Sequence, residues 1–180
     1  MAHGDSGPGV AELIANHCID VPGFPKDGVV FKDLSPLFHD GAAFHGVVDA
    51  LAATCPGGFD VVAGIEARGF LLAAAVAYAT GVGVVSIRKQ GKLPRATHQA
   101  SYDLEYGSAT IEVHADAFTP GQRVLLLDDV LATGGTAAAA LSLVERAGAT
   151  VAGFVVLLEL GFLDGRARLA GRDVHALLRV

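Results

Sequence analysis

Two adjacent carboxylates, Asp128 and Asp129, follow the apolar run Val124-Leu125-Leu126-Leu127 and precede the small-residue stretch Ala132-Thr133-Gly134-Gly135-Thr136. A continuous apolar run reads as a strand buried on both faces, so the acid pair marks its end. After the glycines an Ala-rich segment predicts a helix from about Thr136 to Ala147. The amides of a glycine loop and a helix N-terminus can cradle a phosphate. Two aspartates on the rim beside it repel a second anion but accept hydrogen bonds from neutral hydroxyls. A ligand with a phosphate at one end and a vicinal diol next to it, such as a ribose 5-phosphate, meets both demands.

Three further stretches carry chemistry. Glu66-Ala67-Arg68-Gly69 lies between a short buried strand, Asp60 to Ile65, and an apolar helix, Phe70 to Ala79. Arg68 there suits a diphosphate through charge-assisted bonds, or equally an ion pair with Glu66 or a helix C-terminus. Arg88, Lys89, Lys92 and Arg95 cluster in a chain of net charge −6. They lead into Gln90–Tyr106, which lacks strong periodicity and reads as a long loop, a basic flap. Pro22–Phe38 reads as a loop rich in Pro and Gly that also holds Phe24, Phe31 and Phe38. It is either a connector packed on the core or a hood that stacks on a flat ring.

The segment 123–136 resembles the phosphoribosyl-pyrophosphate motif of type I phosphoribosyltransferases. The stretches Phe24–Asp33, Glu66–Phe70, Arg88–Pro94 and Ser101-Tyr102-Asp103-Leu104-Glu105-Tyr106-Gly107 resemble the adenine phosphoribosyltransferase family, in its order and spacing, from about Ile14 to the C-terminus. The resemblance implies transfer of a phosphoribosyl group from phosphoribosyl pyrophosphate (PRPP) to adenine through an oxocarbenium-like transition state, giving AMP and pyrophosphate. It implies that Asp128 and Asp129 hold the ribose hydroxyls and that Ala132, Thr133, Gly134, Gly135 and Thr136 hold the 5-phosphate. Arg68, Lys89 and Lys92 take the diphosphate, with Mg²⁺ bound mainly through the substrate. Glu105 is the matching catalytic acid/base. For adenine the implied residues are Phe31, stacking on the ring, the backbone of Val30 at its edge, Lys32, and Leu160 as a second wall. Lys32 stands where many members carry Arg, and lacks the planar fork. A homodimer is implied as well.

Alternation of strands with helices predicts an α/β fold, a mostly parallel twisted sheet flanked by helices, with a small N-terminal hood. The remaining pattern predicts helices at Val10–Cys18 and Phe44–Cys55 and strands at Gly83–Lys89, Ala109–Ala115, Val151–Leu160 and, at an edge, Val174–Val180. The chain has 180 residues, 52% hydrophobic and 18% charged, which suits one domain, 1–180. The first ten residues lack a signal peptide's apolar core and read as a tail. No apolar run reaches the ~18 residues of a membrane span. Two cysteines, Cys18 and Cys55, make no disulfide framework and point to buried thiols in a reducing cytoplasm. The negative charge argues against a nucleic-acid surface. There is no zinc-type spacing, Walker lysine or Gly-x-Gly-x-x-Gly. His17, His98, Tyr102, Tyr106 and His114 read as packing, lid or surface residues. The alternatives are a hypoxanthine, guanine or xanthine enzyme, against which Val29-Val30-Phe31 argues, and a nucleotide sensor that regulates transcription.

Overall fold

The computed structural model describes residues 9–103 and 107–180. The chain enters as α1 (Val10–Asn16), so the helix already begins inside the expected tail, and Cys18 lies past its end. It then turns back as an antiparallel hairpin, β1 (Ile19–Pro22) with β2 (Val30–Asp33). Next come the short α2 (Ser35–His39) and α3 (Gly41–Ala53), the latter capped by the Asp40 carboxylate, which accepts from the Ala43 amide at 2.9 Å. The span Pro22–Phe38, expected as a loop, therefore holds a strand and part of a helix. Only Gly23–Val29 is turn, tied by Gly23 N–H to the Val29 carbonyl.

The rest of the chain builds the main sheet. Its elements are β3 (Val61–Ile65), α4 (Gly69–Thr80), β4 (Gly83–Lys89), β5 (Thr97–Asp103), β6 (Ser108–His114), β7 (Arg123–Leu131), α5 (Gly135–Arg146), β8 (Thr150–Glu159) and β9 (Val174–Arg179). Two 3₁₀ turns, Gly161–Leu163 and Gly165–Leu169, join β8 to β9. The strand order is β5-β6-β4-β3-β7-β8-β9. The strands from β4 to β9 in that order are parallel, and β6 and β5 add antiparallel pairs at one edge. The other edge is β9, as expected.

Apolar runs make this arrangement. Every residue of β3 is buried. Alternate side chains feed two cores, because successive residues of a strand point to opposite faces. Val61, Ala63, Leu126 and Phe154 pack with α5 on one face; Val62, Leu125, Leu127 and Val155 pack with α1, α3 and α4 on the other. The connection β3–α4–β4 steps one way along the sheet and β7–α5–β8 steps the other. Right-handed crossovers in opposite directions put their helices on opposite faces. The order thus reverses between β3 and β7, where a crevice opens beyond the strand C-termini.

Two expectations change here. β7 does not stop at the acid pair but continues to Leu131, because β8 still offers partners: Val130 pairs Leu158 and Leu131 pairs Glu159. Gln90–Tyr106 is not all loop. Thr97–Asp103 forms β5, in register with β6 from Thr97↔His114 to Asp103↔Ser108.

Candidate active site

The turn after β7 is shaped for an anion. Gly134 is the N-cap of α5 at φ +80°, and among the described residues no side chain caps the helix. Among those residues the first-turn amides thus have no side-chain acceptor, the condition under which a helix N-terminus takes a phosphate. Asp128 and residues 130–137 line a small cavity there. The turn is held from behind by Gly165. A Cβ on Gly165 would lie 2.0 Å from the Ala132 carbonyl oxygen, and one on Gly134 would lie 2.4 Å from the Gly165 carbonyl oxygen. Neither position admits a side chain, so two backbones meet directly.

The acid pair sits beside this turn. Asp128 Oδ1 accepts from the Asp129 amide at 2.9 Å, and Asp129 is buried. Burial first, and then the Asp129 carboxylate, push the Asp128 carboxyl well above the usual carboxylate range. Arg68 reaches across from the end of β3: its Nε lies 2.8 Å from Asp129 Oδ2. The approach is not aligned as a hydrogen bond, and among the described residues Oδ2 has no directed donor. Of the two roles open to Arg68 within the protein, the structure shows neither Glu66 nor a helix C-terminus but Asp129. Glu66 instead lies 3.5 Å from Arg88 Nε and accepts from the Lys89 amide at 2.8 Å.

The hood brings an aromatic wall to the same place. The Arg68 guanidinium carbon stands 5.2 Å from the Phe31 ring centroid, and Phe24 meets Phe31 edge-on at 5.1 Å. Val21, Phe24, Phe31, Asp33, Ser35 and Arg68 line a cavity of about 340 Å³. Phe31 and Asp33 are on one face of β2, so Val30 and Lys32 are on the other. Lys32 is accordingly turned away from the cavity, and its Nζ donates to both Asp20 oxygens at 2.7 and 2.9 Å. The expected Lys32 contact with a base has no support in this geometry. Leu160 does not line the cavity either. It is half-buried against the α3–α4 core, and its amide donates to the Leu131 carbonyl.

Of the basic cluster, Arg88 and Arg95 have carboxylate partners, Glu66 and Asp116. Lys89 and Lys92 are exposed, and their ammonium groups have no ion pair among the described residues. Tyr102 packs on the α5-side core, and a Cβ on Gly135 would lie 3.2 Å from its ring. His114, expected at the surface, is half-buried with Nε2 enclosed. Glu105 and Tyr106 lie outside the described residues, as do residues 1–8.

Comparison with known proteins decides the family. Residues 39–175 match the phosphoribosyl transferase domain. The adenine phosphoribosyltransferase of Salinispora arenicola (strain CNS-205) is 67% identical over 178 residues, 98% of this chain and 95% of that one. The chain belongs to the adenine phosphoribosyltransferase family. Its fold matches the family's crystal structures. The Thermoanaerobacter pseudethanolicus member superposes with a TM-score of 0.91 at 46% identity, covering 94% of this chain and 99% of that one. The Saccharomyces cerevisiae member, solved with an imino-altritol bisphosphate and adenine, superposes with a TM-score of 0.89 at 36% identity, covering 93% and 98%.

Two residues that hold backbone near these turns escape sequence reasoning. Gly165 lies between β8 and β9, and its close approach to Ala132 and Gly134 shows only in the structure. Glu112 is expected on the polar side of a strand, yet it is 2% exposed. Its one signal is an acid between Ile111 and Val113, both buried.

Proposed function

We infer that this protein transfers the phosphoribosyl group of PRPP to adenine, releasing pyrophosphate and forming AMP. The observation that carries the reading is the meeting, at the switch between β3 and β7, of a phosphate cradle, an acid pair, Arg68 and an aromatic cavity. These match, in order, the 5-phosphate, the ribose diol, the diphosphate and the base.

In this reading Ala132–Thr136 hold the 5-phosphate and Asp128 with Asp129 hold the ribose hydroxyls, fixing C1 for displacement. The C1–O bond to diphosphate breaks as a ring nitrogen of adenine bonds to C1. Arg68, Lys89 and Lys92 take the charge that develops on the leaving group. Among the described residues no group of three or more His, Cys, Asp or Glu is placed to hold a metal, and diphosphate oxygens suit a hard divalent cation. Mg²⁺ carried by the substrate would add to that neutralisation. Glu105 receives the proton the base gives up. Phe31 stacks on the base, and Val30 reads its edge. Val30 pairs with Pro22, which has no N–H, so its carbonyl takes no hydrogen bond from that partner. The amino group of adenine suits such an acceptor, whereas an oxo-purine leaves it unpaired.

The pyrophosphate-forming assay with adenine, hypoxanthine, guanine and xanthine tests the reading. Turnover with adenine alone is expected; turnover with an oxo-purine overturns the role of Val30. Glu105→Ala lowers kcat by roughly 10²–10⁴-fold, and an activity within a few-fold of wild type removes Glu105 from the mechanism.

The reading extends to a cytoplasmic homodimer. Tyr78 is 91% and Leu71 53% exposed on α4. Tyr78 lines a groove with Phe44, Val48 and Ala75, and the His45–Asp49 pair lines it too. A second copy is the occupant proposed for this face. Sedimentation at monomer mass for wild type overturns it. The thiols of Cys18 and Cys55, expected as buried, are half-buried, and that burial pushes their pKa up and lowers their reactivity.

A further inference from the structure

Glu112 is a buried carboxylate with no cationic partner among the described residues. It lies on β6 opposite Arg88 of β4 and Gln99 of β5. A carboxylate so enclosed must be paired or richly hydrogen-bonded, or else give up its charge. Glu112 takes the second course. Oε1 accepts from the amides of Lys92 and Leu93, both at 3.0 Å. Oε2 accepts from the Thr97 hydroxyl and the Gln99 side-chain amide, both at 3.2 Å. Burial alone would raise its carboxyl, but the Leu93 and Lys92 amides, with Thr97 and Gln99, outweigh it and hold it below the usual range.

These bonds fix a particular turn. Lys92 and Leu93 follow Gly91, whose φ is +81°. The turn is closed by Arg88 Nη1, which donates to the Lys92 carbonyl at 3.3 Å. Its near end is held by Glu66, which takes the Lys89 amide at 2.8 Å. Both carboxylates therefore bind backbone N–H groups rather than lysine ammonium groups. The consequence is electrostatic as well as mechanical. The backbone at Lys89 and Lys92 is held, while among the described residues the two ammonium groups have no carboxylate partner that a diphosphate would have to displace. Lys89 also ends β4, beside the strand that leads to Arg68.

We propose that Glu112 is a positioning residue for diphosphate binding: by holding the Lys92–Leu93 turn it sets where the Lys89 and Lys92 ammonium groups stand. This rests on the reading that those lysines meet the diphosphate of PRPP. The carboxamide of a Gln at this position keeps one acceptor oxygen for the two backbone amides, whereas Ala keeps none.

Steady-state kinetics of Glu112→Ala, Glu112→Gln and Lys92→Ala in the full chain test it. Glu112→Ala raises KM for PRPP about tenfold, leaves KM for adenine unchanged and changes kcat at saturating PRPP less than about threefold. Glu112→Gln restores KM for PRPP to within about threefold of wild type. A change in kcat alone, or equal changes in both KM values, overturns the proposal. If Lys92→Ala leaves KM for PRPP unchanged, it is the diphosphate reading that fails. If Lys92→Ala raises it and folded Glu112→Ala does not, the positioning role fails. Hydrogen exchange of the wild-type protein decides the matter even if Glu112→Ala does not fold. The Lys92 and Leu93 amides are expected to exchange at least about tenfold more slowly than an open turn, and open-turn rates overturn the proposal.

Discussion

β3 and β7 lie side by side, run parallel, and each leads to a helix of twelve residues. The turns at their ends work by different means. After β7 the candidate binding groups are backbone amides, and their place is set by Gly134 packed on Gly165. After β3 the candidate group is a long side chain that already has partners, Arg68 on Asp129 and Phe31, while Glu66 beside it holds Arg88 and the Lys89 amide. A backbone cradle is preorganised, so it is sensitive to shape. A side-chain turn exchanges one set of partners for another, so it is sensitive to charge. The first suits the 5-phosphate, which stays attached throughout the reaction. The second suits the diphosphate, which must be bound and then released.

Substitutions can break this contrast. The largest effect is expected from Gly134→Ala. It adds no charge, yet its Cβ would stand 2.4 Å from the Gly165 carbonyl oxygen. Displacing the cradle by ~1 Å lowers kcat/KM for PRPP on the order of 100-fold. A loss under threefold would show that the cradle is not shape-limited. Next comes Arg68→Lys against Arg68→Ala. Removing a charged donor costs about 1.5–3 kcal/mol, so Ala lowers kcat/KM for PRPP roughly 10–100-fold. Lys recovers part of that, because charge matters more than shape at this turn. Equal losses for Lys and Ala would contradict the contrast.

The smallest effect sharpens the comparison by separating stability from binding. The Asp128 carboxyl is raised in the folded protein by burial and by Asp129. A carboxyl raised on folding stabilises fully below its unfolded value of ~4, and that contribution falls as pH rises through the folded value. At neutral pH Asp128 is therefore an electrostatic cost. Asp128→Asn raises stability by about 1 kcal/mol, or ~3 °C in Tm for a chain of this size, in buffer without substrates at pH 7. The gain disappears below pH ~4, and affinity for PRPP falls. A lower Tm at pH 7 would overturn the electrostatic account.

The two turns also differed in how far they were legible. The residues of the turn after β7 are contiguous and legible as such: a buried strand, two acids, Gly134-Gly135 and an Ala-rich helix. Two features of it are not: the length of β7, which continues to Leu131 where β8 supplies ladder partners, and the backing by Gly165. The Arg68 turn was recognisable, but its partner was not. Asp129 lies on a strand neighbouring β3 only because the order reverses there. Pro22–Phe38 reads as an aromatic loop because it is crowded with Pro and Gly, yet β2 forms within it and pairs with β1, which precedes it. That pairing places Phe31 on the cavity side and turns Lys32 to Asp20. β5 escapes the sequence for a similar reason. Thr97–Asp103 is mostly polar, and its ladder is with β6 and its packing with α5, neither of which leaves a strong period in its own sequence.

By itself the sequence determined the α/β alternation, the acid pair, the glycine turn and the supply of basic side chains. These depend on residues adjacent in the chain, where periodicity and local backbone freedom act directly. Only the tertiary structure decided that Arg68 meets Asp129, that Gly165 backs Ala132, that Lys32 faces Asp20, and that Glu112 holds the turn at Lys92. Those contacts join distant segments through strand order, register and crossover direction. They are settled by how whole elements pack, and no local pattern of residue types specifies them.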